Sequence, residues 1–356
     1  MGLFDEMLGS GESLFKNAIV LDFDYQPKVI PYREQEMQYI VSCIKPLFQQ
    51  RNGKNLFLYG PPGVGKTAAC KHILEELGEQ TDEIDTLYVN CWQNNTTFKI
   101  MYAMCEALGL KFIHNKRTEE LFKMLKERLN KKTAVFVFDE IDKAEDYDFI
   151  YSVLEELYRK TVILITNHKE WLDDLDTRIK SRLNPETLAF RKYNQDEMMG
   201  IIKQRINYAF VEGVWRPEAF SLAAAKTTEL GDIRTGLYLL KEAGTIAEDK
   251  ASKKIELAHV EEAIKKLDSF SIKKSSDLEE ETRMILDVVK GNSGKKIGEL
   301  FEDYQKAGGK SVYKTFQRKI AKLEQSGFIA TKKIVGGTEG STTIVNYAKG
   351  KKLTDF

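Results

Sequence analysis

A glycine-rich octapeptide, GPPGVGKT at residues 60–67, lies between a short apolar run and the start of a helical pattern. Its three glycines allow backbone N–H groups to turn inward around phosphate oxygens, and the following helix contributes the positive end of its dipole. In such a loop Lys66 contacts the β- and γ-phosphates, and the Thr67 hydroxyl is a ligand for Mg²⁺. The octapeptide therefore predicts a nucleotide-binding loop fed by a β-strand, which restricts the fold to an α/β class.

Five short apolar runs alternate with amphipathic helical patterns. Near-continuous apolar strands separated by helices are typical of a parallel sheet covered on both faces, so a doubly wound α/β domain is predicted. The predicted strands are Asn55–Tyr59, Thr86–Cys91, Ala134–Asp139, Val162–Thr166 and Thr187–Phe190. Beyond Tyr193 helical periodicity indicates a separate helical domain, and the polar stretch Ser269–Asp277 is the predicted linker after it.

Polar side chains follow the strands at positions suited to phosphate chemistry. The run VFVFDEID places Asp139 and Glu140 at the carboxyl edge of the sheet, where such folds bind ligands. Asp139 is predicted to hold Mg²⁺ through water and Glu140 to be the general base, while Asp142 is assigned a structural role only. Asn167, which ends LITN, carries a neutral amide that can orient the attacking water. Arg234, in GDIR, adds a guanidinium that can reach phosphate from the helical domain.

The end of the chain has the pattern of a winged helix-turn-helix. Helical patterns at about 278–290 and 295–306 precede a third within GGKSVYKTFQRKIAKLEQSG, and two strand-like runs joined by GGTEGS follow. The third helix is predicted to bury an apolar stripe of Val312, Phe316, Ile320 and Leu323.

The opposite face of this third helix suits a DNA groove. Its lysines attract phosphate, whereas Gln317 and Arg318 have the geometry for base edges. The predicted DNA-binding positions are Lys310, Ser311, Lys314, Gln317, Arg318 and Lys322, with Lys332 and Lys333 of the wing.

The 54 basic and 54 acidic side chains cancel overall but are unevenly distributed. Residues 271–356 carry 17 Lys and Arg against 11 Asp and Glu, a net charge of +6, so the remainder carries −6. A basic C-terminal surface of this kind favours a nucleic-acid partner for that module.

Cysteine use and hydropathy predict the compartment. Four widely spaced cysteines in apolar settings, without a C-x-x-C pair, predict buried thiols in a reduced, cytosolic protein. No basic n-region precedes a long apolar stretch, and no run approaches about 18 apolar residues, so neither a secreted nor a membrane-spanning protein is predicted. The expected location is the cytoplasm, in association with the nucleoid.

Together, the segments GPPGVGKT, FDEID, LITN, DLDTRIKSRL and GDIRTGLYLLKEAGTIAE resemble the AAA+ ATPases of the archaeal replication-initiator family, relatives of the eukaryotic origin-recognition and licensing proteins. YQPKVIPYREQEM is similar to the family's stretch entering the adenine pocket, and YVNCWQNNTTFKI to the strand and helix after the phosphate loop. The resemblance covers nearly the whole chain. The implied domains are an N-terminal segment (1–24), an AAA+ α/β ATPase domain (25–192), a helical lid (193–270) and a winged-helix DNA-binding domain (271–356).

The resemblance also implies the residues that bind ATP or ADP. Asn167 and Arg234 become the two sensors of the nucleotide, and Tyr32 stands where the family often has His. The implied binding residues are Val29, Ile30, Tyr32, Arg33, Gly60, Pro61, Pro62, Gly63, Val64, Gly65, Lys66, Thr67, Ala68 and Arg234.

Two arginines of DLDTRIKSRL compete for one further role. The family comparison favours Arg178 as the residue offered to a neighbouring subunit's ATP, whereas Arg182 occupies the position of the finger in related clamp loaders. The resemblance also implies a second DNA contact around Gly109–Glu119, including Lys111, Lys116 and Arg117.

The function implied by the resemblance is that of an ATP-dependent initiator. It is expected to bind double-stranded origin DNA through the winged helix and the AAA+ domain, beside other initiator subunits, and to recruit or load an MCM-type helicase. It is also expected to hydrolyse ATP slowly, as a switch. A branch-migration motor also joins an AAA+ unit to a winged helix, and a DNA-binding regulator with a structural nucleotide is a third interpretation. The stretches 25–37 and 172–183 count against the motor, and intact Lys66, Asp139 and Glu140 against the regulator.

Overall fold

The structure is a computed structural model and describes residues 13–276, 280–309, 311–325, 328–334 and 342–347. The described chain divides into two compact units. The sheet unit comprises residues 22–205, and the helical unit comprises residues 13–21 with the described residues from 206 onward.

The sheet unit contains a five-stranded parallel sheet in the order β2-β3-β4-β1-β5. All five predicted strands are confirmed, with small differences at their ends. They are β1 (Leu56–Tyr59), β2 (Ile84–Asn90), β3 (Thr133–Asp139), β4 (Lys160–Thr166) and β5 (Glu186–Ala189).

Helices cover both faces of this sheet, and each face has its own hydrophobic core. Phe136 and Phe138 of β3 belong to one core, whereas Val135 and Val137 belong to the other, because successive strand residues point to opposite faces. All four cysteines are buried in these cores, as predicted. The helices are α1 (Glu34–Ile44), α2 (Lys66–Gln80), α3 (Thr97–Ala107), α4 (Thr118–Leu129), α5 (Asp148–Glu156), α6 (Trp171–Asp174) and α7 (Thr177–Leu183). The next helix, α8 (Gln195–Ala209), begins in the sheet unit and ends in the helical unit.

The helical unit continues with α9 (Pro217–Leu230), α10 (Ile233–Asp249) and α11 (Leu257–Ser276). The predicted linker is therefore wrong at 269–276, where α11 continues, and Asp277 lies outside the described residues. The stretch contains neither Gly nor Pro, so nothing in it stops a helix that has already formed. In the described part of the chain, no helix combines the length and apolar character needed to cross a bilayer.

The helical unit also contains an N-terminal strap, residues 13–21, for which the sequence predicted no structure. The Phe15 ring packs 4.7 Å from that of Phe210, centroid to centroid. The Lys16 N–H donates to the carbonyl of Ala209 at 2.8 Å, and the Leu14 N–H to the Glu248 carboxylate at 2.7 Å. The strap is thus fixed by one aromatic contact and by hydrogen bonds on both sides of it.

The last part of the helical unit has the predicted order of three helices and a hairpin. A small antiparallel sheet, ordered β6-β8-β7, packs with the helices around one core. The elements are α12 (Glu280–Gly291), β6 (Lys295–Lys296), α13 (Ile297–Lys306), α14 (Tyr313–Gln325), β7 (Ile329–Ile334) and β8 (Thr342–Tyr347).

One member of the predicted apolar stripe is not in this core. Phe316, Ile320 and Leu323 are buried, but Val312 is 69 % exposed. Val312 lies just before α14, and its carbonyl accepts the Phe316 N–H at 3.0 Å. It therefore belongs to the start of the helix, where the helical spacing does not yet decide which way a side chain points. The hairpin tip GGTEGS lies outside the described residues.

Candidate nucleotide site and nucleic-acid face

The glycine-rich loop connects β1 to α2 at the carboxyl edge of the sheet. Gly65, directly before α2, has φ of 91°, a left-handed conformation that L side chains rarely adopt. A Cβ at this position would also lie 3.0 Å from the Tyr193 hydroxyl. The loop thus needs glycine both for its turn and for space, and it leads into a helix N-terminus that favours phosphate.

Lys66 connects this loop to the neighbouring strand. Its ammonium donates to the carbonyls of Gly60 and Pro61 at 2.7 and 2.9 Å, and to Oδ1 of Asn167 at 2.8 Å. The residue is 6 % exposed. Two predicted site residues, 101 positions apart in the sequence, are therefore in contact, and a bound phosphate has to compete for donors that are already engaged.

Asp139 is the centre of a second set of contacts and is 3 % exposed. Its Oδ2 accepts the Thr67 hydroxyl at 2.6 Å and the Tyr88 hydroxyl at 2.8 Å, and its Oδ1 accepts the Glu140 N–H at 2.9 Å. A hydroxyl and a carboxylate side by side are the hard oxygen ligands that Mg²⁺ prefers. Among the described residues no cluster of three or more His, Cys, Asp or Glu could hold a metal ion.

Glu140 follows Asp139 in a left-handed conformation, with φ of 53° and ψ of 45°. Such a backbone costs free energy in a residue with a side chain, and it is found most often where a side chain has to be aimed. The Asp142 carboxylate accepts the Thr166 hydroxyl at 2.7 Å and pairs with Lys143 at 2.9 Å. Burial opposes ionisation of Asp142, but these contacts outweigh it and hold its pKa below the ordinary value.

Sequence reasoning missed Tyr88. Burial first, and then the Asp139 carboxylate, raise the pKa of Tyr88, so the hydroxyl keeps its proton and donates it. Tyr88 is paired with Val137, two residues before Asp139, in the parallel register of β2 and β3. Residues two apart on a strand share a face. The alternation of side chains along the predicted strands is thus a signal in the sequence that could have identified Tyr88.

The predicted adenine-site residues differ in exposure. Val29 is 54 % exposed and Tyr32 39 %, whereas Ile30 is buried near Gly65. Tyr32 has φ of 64°, and a side chain at Gly200 would meet its hydroxyl, so this glycine lets α8 approach the ring. Val29 and Tyr32 are therefore the members of this group that the structure leaves open to a base.

Arg33, a predicted adenine-site residue, is fully buried. Its guanidinium donates to the carbonyl of Val64, in the glycine-rich loop, at 2.9 Å and pairs with Glu36 at 2.9 Å. It also lies 3.9 Å from the centroid of the Tyr193 ring. These contacts support the glycine-rich loop, and the predicted contact of Arg33 with adenine stays a prediction.

The two competing arginines of α7 have different surroundings. Arg178 is 78 % exposed at its side chain and contacts Asp176, two residues away, at 3.2 Å. Arg182 is bound to the carboxylate of Glu155 and lies 4.9 Å from the centroid of the Tyr151 ring. Arg178 is thus free to extend, whereas Arg182 is held on the surface of its own unit.

Arg234 lies in the first turn of α10 in the helical unit. Asp232 caps this helix by accepting the Arg234 N–H at 2.7 Å, and its carboxylate also pairs with the Arg234 guanidinium at 3.1 Å. Asp232 is 1 % exposed, which makes it a fixed anchor for that side chain.

The outer face of α14 carries the predicted polar side chains. Lys314, Gln317 and Arg318 are exposed, opposite the buried Phe316 and Ile320. Lys310 lies outside the described residues, as do the side chains of Lys322, Lys332 and Lys333. The backbones of the last two belong to β7.

A carboxylate in α12 fixes the start of α14. Glu281 accepts the hydroxyls of Ser311, at 2.6 Å, and Tyr304, and its other oxygen accepts the Lys319 ammonium at 2.6 Å. Lys319 first, and then the two hydroxyls, lower the pKa of Glu281 to about 2. Ser311, predicted to face DNA, is thus engaged inside the protein, because Glu281 approaches it from a distant part of the sequence.

The loop between α3 and α4 has an unusual conformation. Phe112 is 85 % exposed, and both Phe112 and Asn115 have left-handed φ, at 60° and 61°. Lys116 pairs with Glu120 at 3.3 Å, and the Arg117 N–H caps α4 through the same carboxylate at 2.9 Å. The backbone therefore presents an aromatic ring to solvent between basic residues.

Family models match both units. An AAA domain matches residues 49–170, and a Cdc6 AAA+ ATPase-type lid domain matches residues 199–265. The sequence is 31 % identical to ORC1-type DNA replication protein 1 of Sulfurisphaera tokodaii, over 97 % of this chain and 94 % of that protein. The protein of the same name from Sulfolobus acidocaldarius is also 31 % identical, over 96 % of this chain and 91 % of its own length.

Two solved structures resemble this chain to different degrees. The Aeropyrum pernix ORC1 protein in complex with DNA has a TM-score of 0.75 at 26 % identity, covering 97 % of this chain and 96 % of that one. The Thermotoga maritima RuvB Holliday junction branch migration motor has a TM-score of 0.52 at 17 % identity, covering 93 % and 96 %. The second likeness concerns the fold alone.

Proposed function

Because the chain belongs to the family of ORC1-type DNA replication proteins and is an AAA+ ATPase, we propose that it is a replication initiator that binds origin DNA and uses ATP as a switch. The observation that carries the proposal is similarity over nearly the full length, which includes the winged-helix part as well as the ATPase. In this role it acts on double-stranded DNA in the cytoplasm, helps to recruit or load an MCM-type helicase, and works beside other initiator subunits.

The proposed chemistry is attack of water on the γ-phosphate. Glu140 accepts the proton of that water, Asn167 orients it, and Lys66 donates to the oxygens on which negative charge collects. Mg²⁺, held by Thr67 directly and by Asp139 through water, would neutralise phosphate charge when bound. The Lys66–Asn167 hydrogen bond already brings the loop and the sensor strand together. Arg234, as the second sensor, adds a guanidinium from the helical unit, and Val29 and Tyr32 contact the base.

Arg178 is the proposed finger for a neighbouring subunit's ATP. Its exposure and its single local partner leave it able to reach outward, whereas Arg182 would first have to give up Glu155 and the Tyr151 ring. A finger in trans needs a second subunit, which supports assembly of initiators on DNA.

Two surfaces are proposed to contact DNA. Lys314, Gln317 and Arg318 of α14 enter a groove, and the exposed Val312 at the start of this helix adds an apolar group suited to a thymine methyl. The loop around Phe112, with Lys111, Lys116 and Arg117, forms the second contact in the sheet unit. The basic charge of residues 271–356 supports the first contact.

The test is binding of labelled candidate-origin DNA against shuffled DNA at fixed salt, with ATP, ADP or no nucleotide. We expect wild type to prefer origin DNA and the double variant Lys314→Ala/Arg318→Ala to lose about 10- to 100-fold in affinity for it. Lys306→Ala, on α13 with a side chain 75 % exposed, is the matched control and should bind as wild type.

Equal, purely salt-dependent binding of wild type to every duplex would count against an initiator. That outcome would favour a motor or a nonspecific loader, since such proteins bind the phosphate backbone without sequence preference. Sustained ATP hydrolysis stimulated by any DNA would point in the same direction.

A further inference from the structure

We infer that Tyr88 is a positioning residue for the magnesium-binding aspartate: its hydroxyl holds Asp139 in the orientation that a Mg²⁺–nucleotide complex requires. The inference rests on the nucleotide chemistry proposed above and adds a residue to which the sequence analysis gave no role.

The first support is the hydrogen-bond count at Asp139. Each carboxylate oxygen offers two lone pairs. On Oδ2, one is used by the Thr67 hydroxyl at 2.6 Å and the other by the Tyr88 hydroxyl at 2.8 Å. Oδ1 accepts the Glu140 N–H at 2.9 Å and keeps one lone pair. Tyr88 and Thr67 therefore fix which oxygen of Asp139 remains able to accept from a metal-bound water.

The second support is that the hydroxyls of Thr67 and Tyr88 lie on different kinds of element. Thr67 belongs to the glycine-rich loop and is itself a proposed metal ligand, so its position depends on what the loop binds. Tyr88 belongs to β2, whose register with β3 places it on the same face as Asp139. Of the two residues, only Tyr88 lies on a strand of the same sheet as Asp139. Because strands are rigid elements, they position functional groups more precisely than loops do.

The third support is the fixation of the Tyr88 ring. The ring is partly buried against the core on that face of the sheet, and the Lys71 ammonium lies 4.7 Å from its centroid. A side chain held on two sides can transmit its position to Asp139. In metal sites, losing an outer residue that orients a ligand typically weakens metal affinity by about 10- to 100-fold.

The test is a Mg²⁺ titration of nucleotide binding with Tyr88→Phe, which removes the hydroxyl and keeps the ring. A fluorescent ADP analogue is bound to the full-length protein first without Mg²⁺ and then with increasing Mg²⁺. We expect unchanged affinity without Mg²⁺ and about 10-fold more Mg²⁺ for half of the tightening in the variant. Tyr102→Phe is the matched control, because it removes a tyrosine hydroxyl whose contact is with His114 and not with Asp139, and it should titrate as wild type.

Three outcomes would overturn the inference. If wild type and Tyr88→Phe require the same Mg²⁺ concentration, Tyr88 does not position Asp139. If the variant loses affinity equally with and without Mg²⁺, Tyr88 only supports the loop. If wild type itself shows no tightening with Mg²⁺, the proposed metal site fails and the Tyr88 inference fails with it, which separates this case from the first. Thermal unfolding without nucleotide shows that the variant is folded.

Discussion

The nucleotide site and the α14 face are built on opposite principles. In the nucleotide site two buried charged side chains are already bonded to their neighbours: Lys66 to Asn167, and Asp139 to Thr67 and Tyr88. On α14, Lys314, Gln317 and Arg318 are exposed, and the network that orders the helix lies behind them at Glu281. Chemistry on a phosphate demands fixed geometry, whereas binding a long anionic duplex demands many contacts of modest strength.

The substitution with the largest expected effect is Lys66→Ala, which tests whether ATP hydrolysis needs the fixed contacts of the nucleotide site. Because Lys66 joins the loop to Asn167 and donates to phosphate, we expect ATP hydrolysis to fall by about 10²- to 10³-fold. Glu79→Ala, at an exposed position of the same helix, should change the rate by less than about 3-fold. Steady-state phosphate release measures both. A Lys66 variant that hydrolyses ATP nearly as fast as wild type would show that the contacts of Lys66 with the loop and with Asn167 are not needed for hydrolysis.

Arg33→Met tests whether the buried contacts of Arg33 with Val64 and Glu36 stabilise the glycine-rich loop. The substitution keeps the apolar stem but leaves the carbonyl of Val64 and the carboxylate of Glu36 without their donor. We expect the free energy of unfolding to fall by about 3 kcal/mol. Arg51→Met, at an exposed position, should stay within about 0.5 kcal/mol of wild type. Urea unfolding compares the three proteins, and an equal effect of both substitutions would remove the supporting role of Arg33.

Phe112→Ser tests an exposed surface, the loop between α3 and α4 that is proposed as the second DNA contact. If the ring stacks on or wedges between bases, its loss should weaken DNA binding by about 10-fold while leaving the unfolding midpoint unchanged, since the ring is 85 % exposed. Tyr158→Ser, at 65 % exposure elsewhere on the sheet unit, controls for loss of any exposed aromatic residue. Fluorescence anisotropy at fixed salt measures affinity, and equal binding by both variants would exclude a role for Phe112.

The smallest expected effect is the pH dependence caused by Glu281. Its folded pKa of about 2 lies below the ordinary value of 4.5, so its ionised form stabilises the fold above that value. The stabilisation of wild type over Glu281→Gln should thus be complete above about pH 5 and disappear as pH falls toward about 2. Urea midpoints of both proteins across this range measure it. A difference that grows toward low pH would contradict the assignment of the Lys319 contact.

The sequence predicted elements and motifs better than contacts. The five strands are apolar runs, and the phosphate loop is a local pattern, so both could be recognised without tertiary information. The burial of Arg33 and the contact of Ser311 with Glu281 depend on partners far away in the chain, so the sequence could not reveal them. Val312 was misassigned to the apolar stripe because it lies just before α14 and is exposed. The stretch 269–276 was misassigned because its polar composition does not reveal that α11 continues through it.

The N-terminal strap has a consequence for how the chain folds during synthesis. Leu14 meets its partner Glu248 across 234 positions, and Phe15 meets Phe210. The sheet unit, by contrast, is complete by about residue 205. Since domains generally fold as units in N-to-C order during synthesis, the strap has to wait for its partner until Glu248 has been made. Closing so long a loop is slow, so the strap docks only after α10, which carries Glu248, has been made.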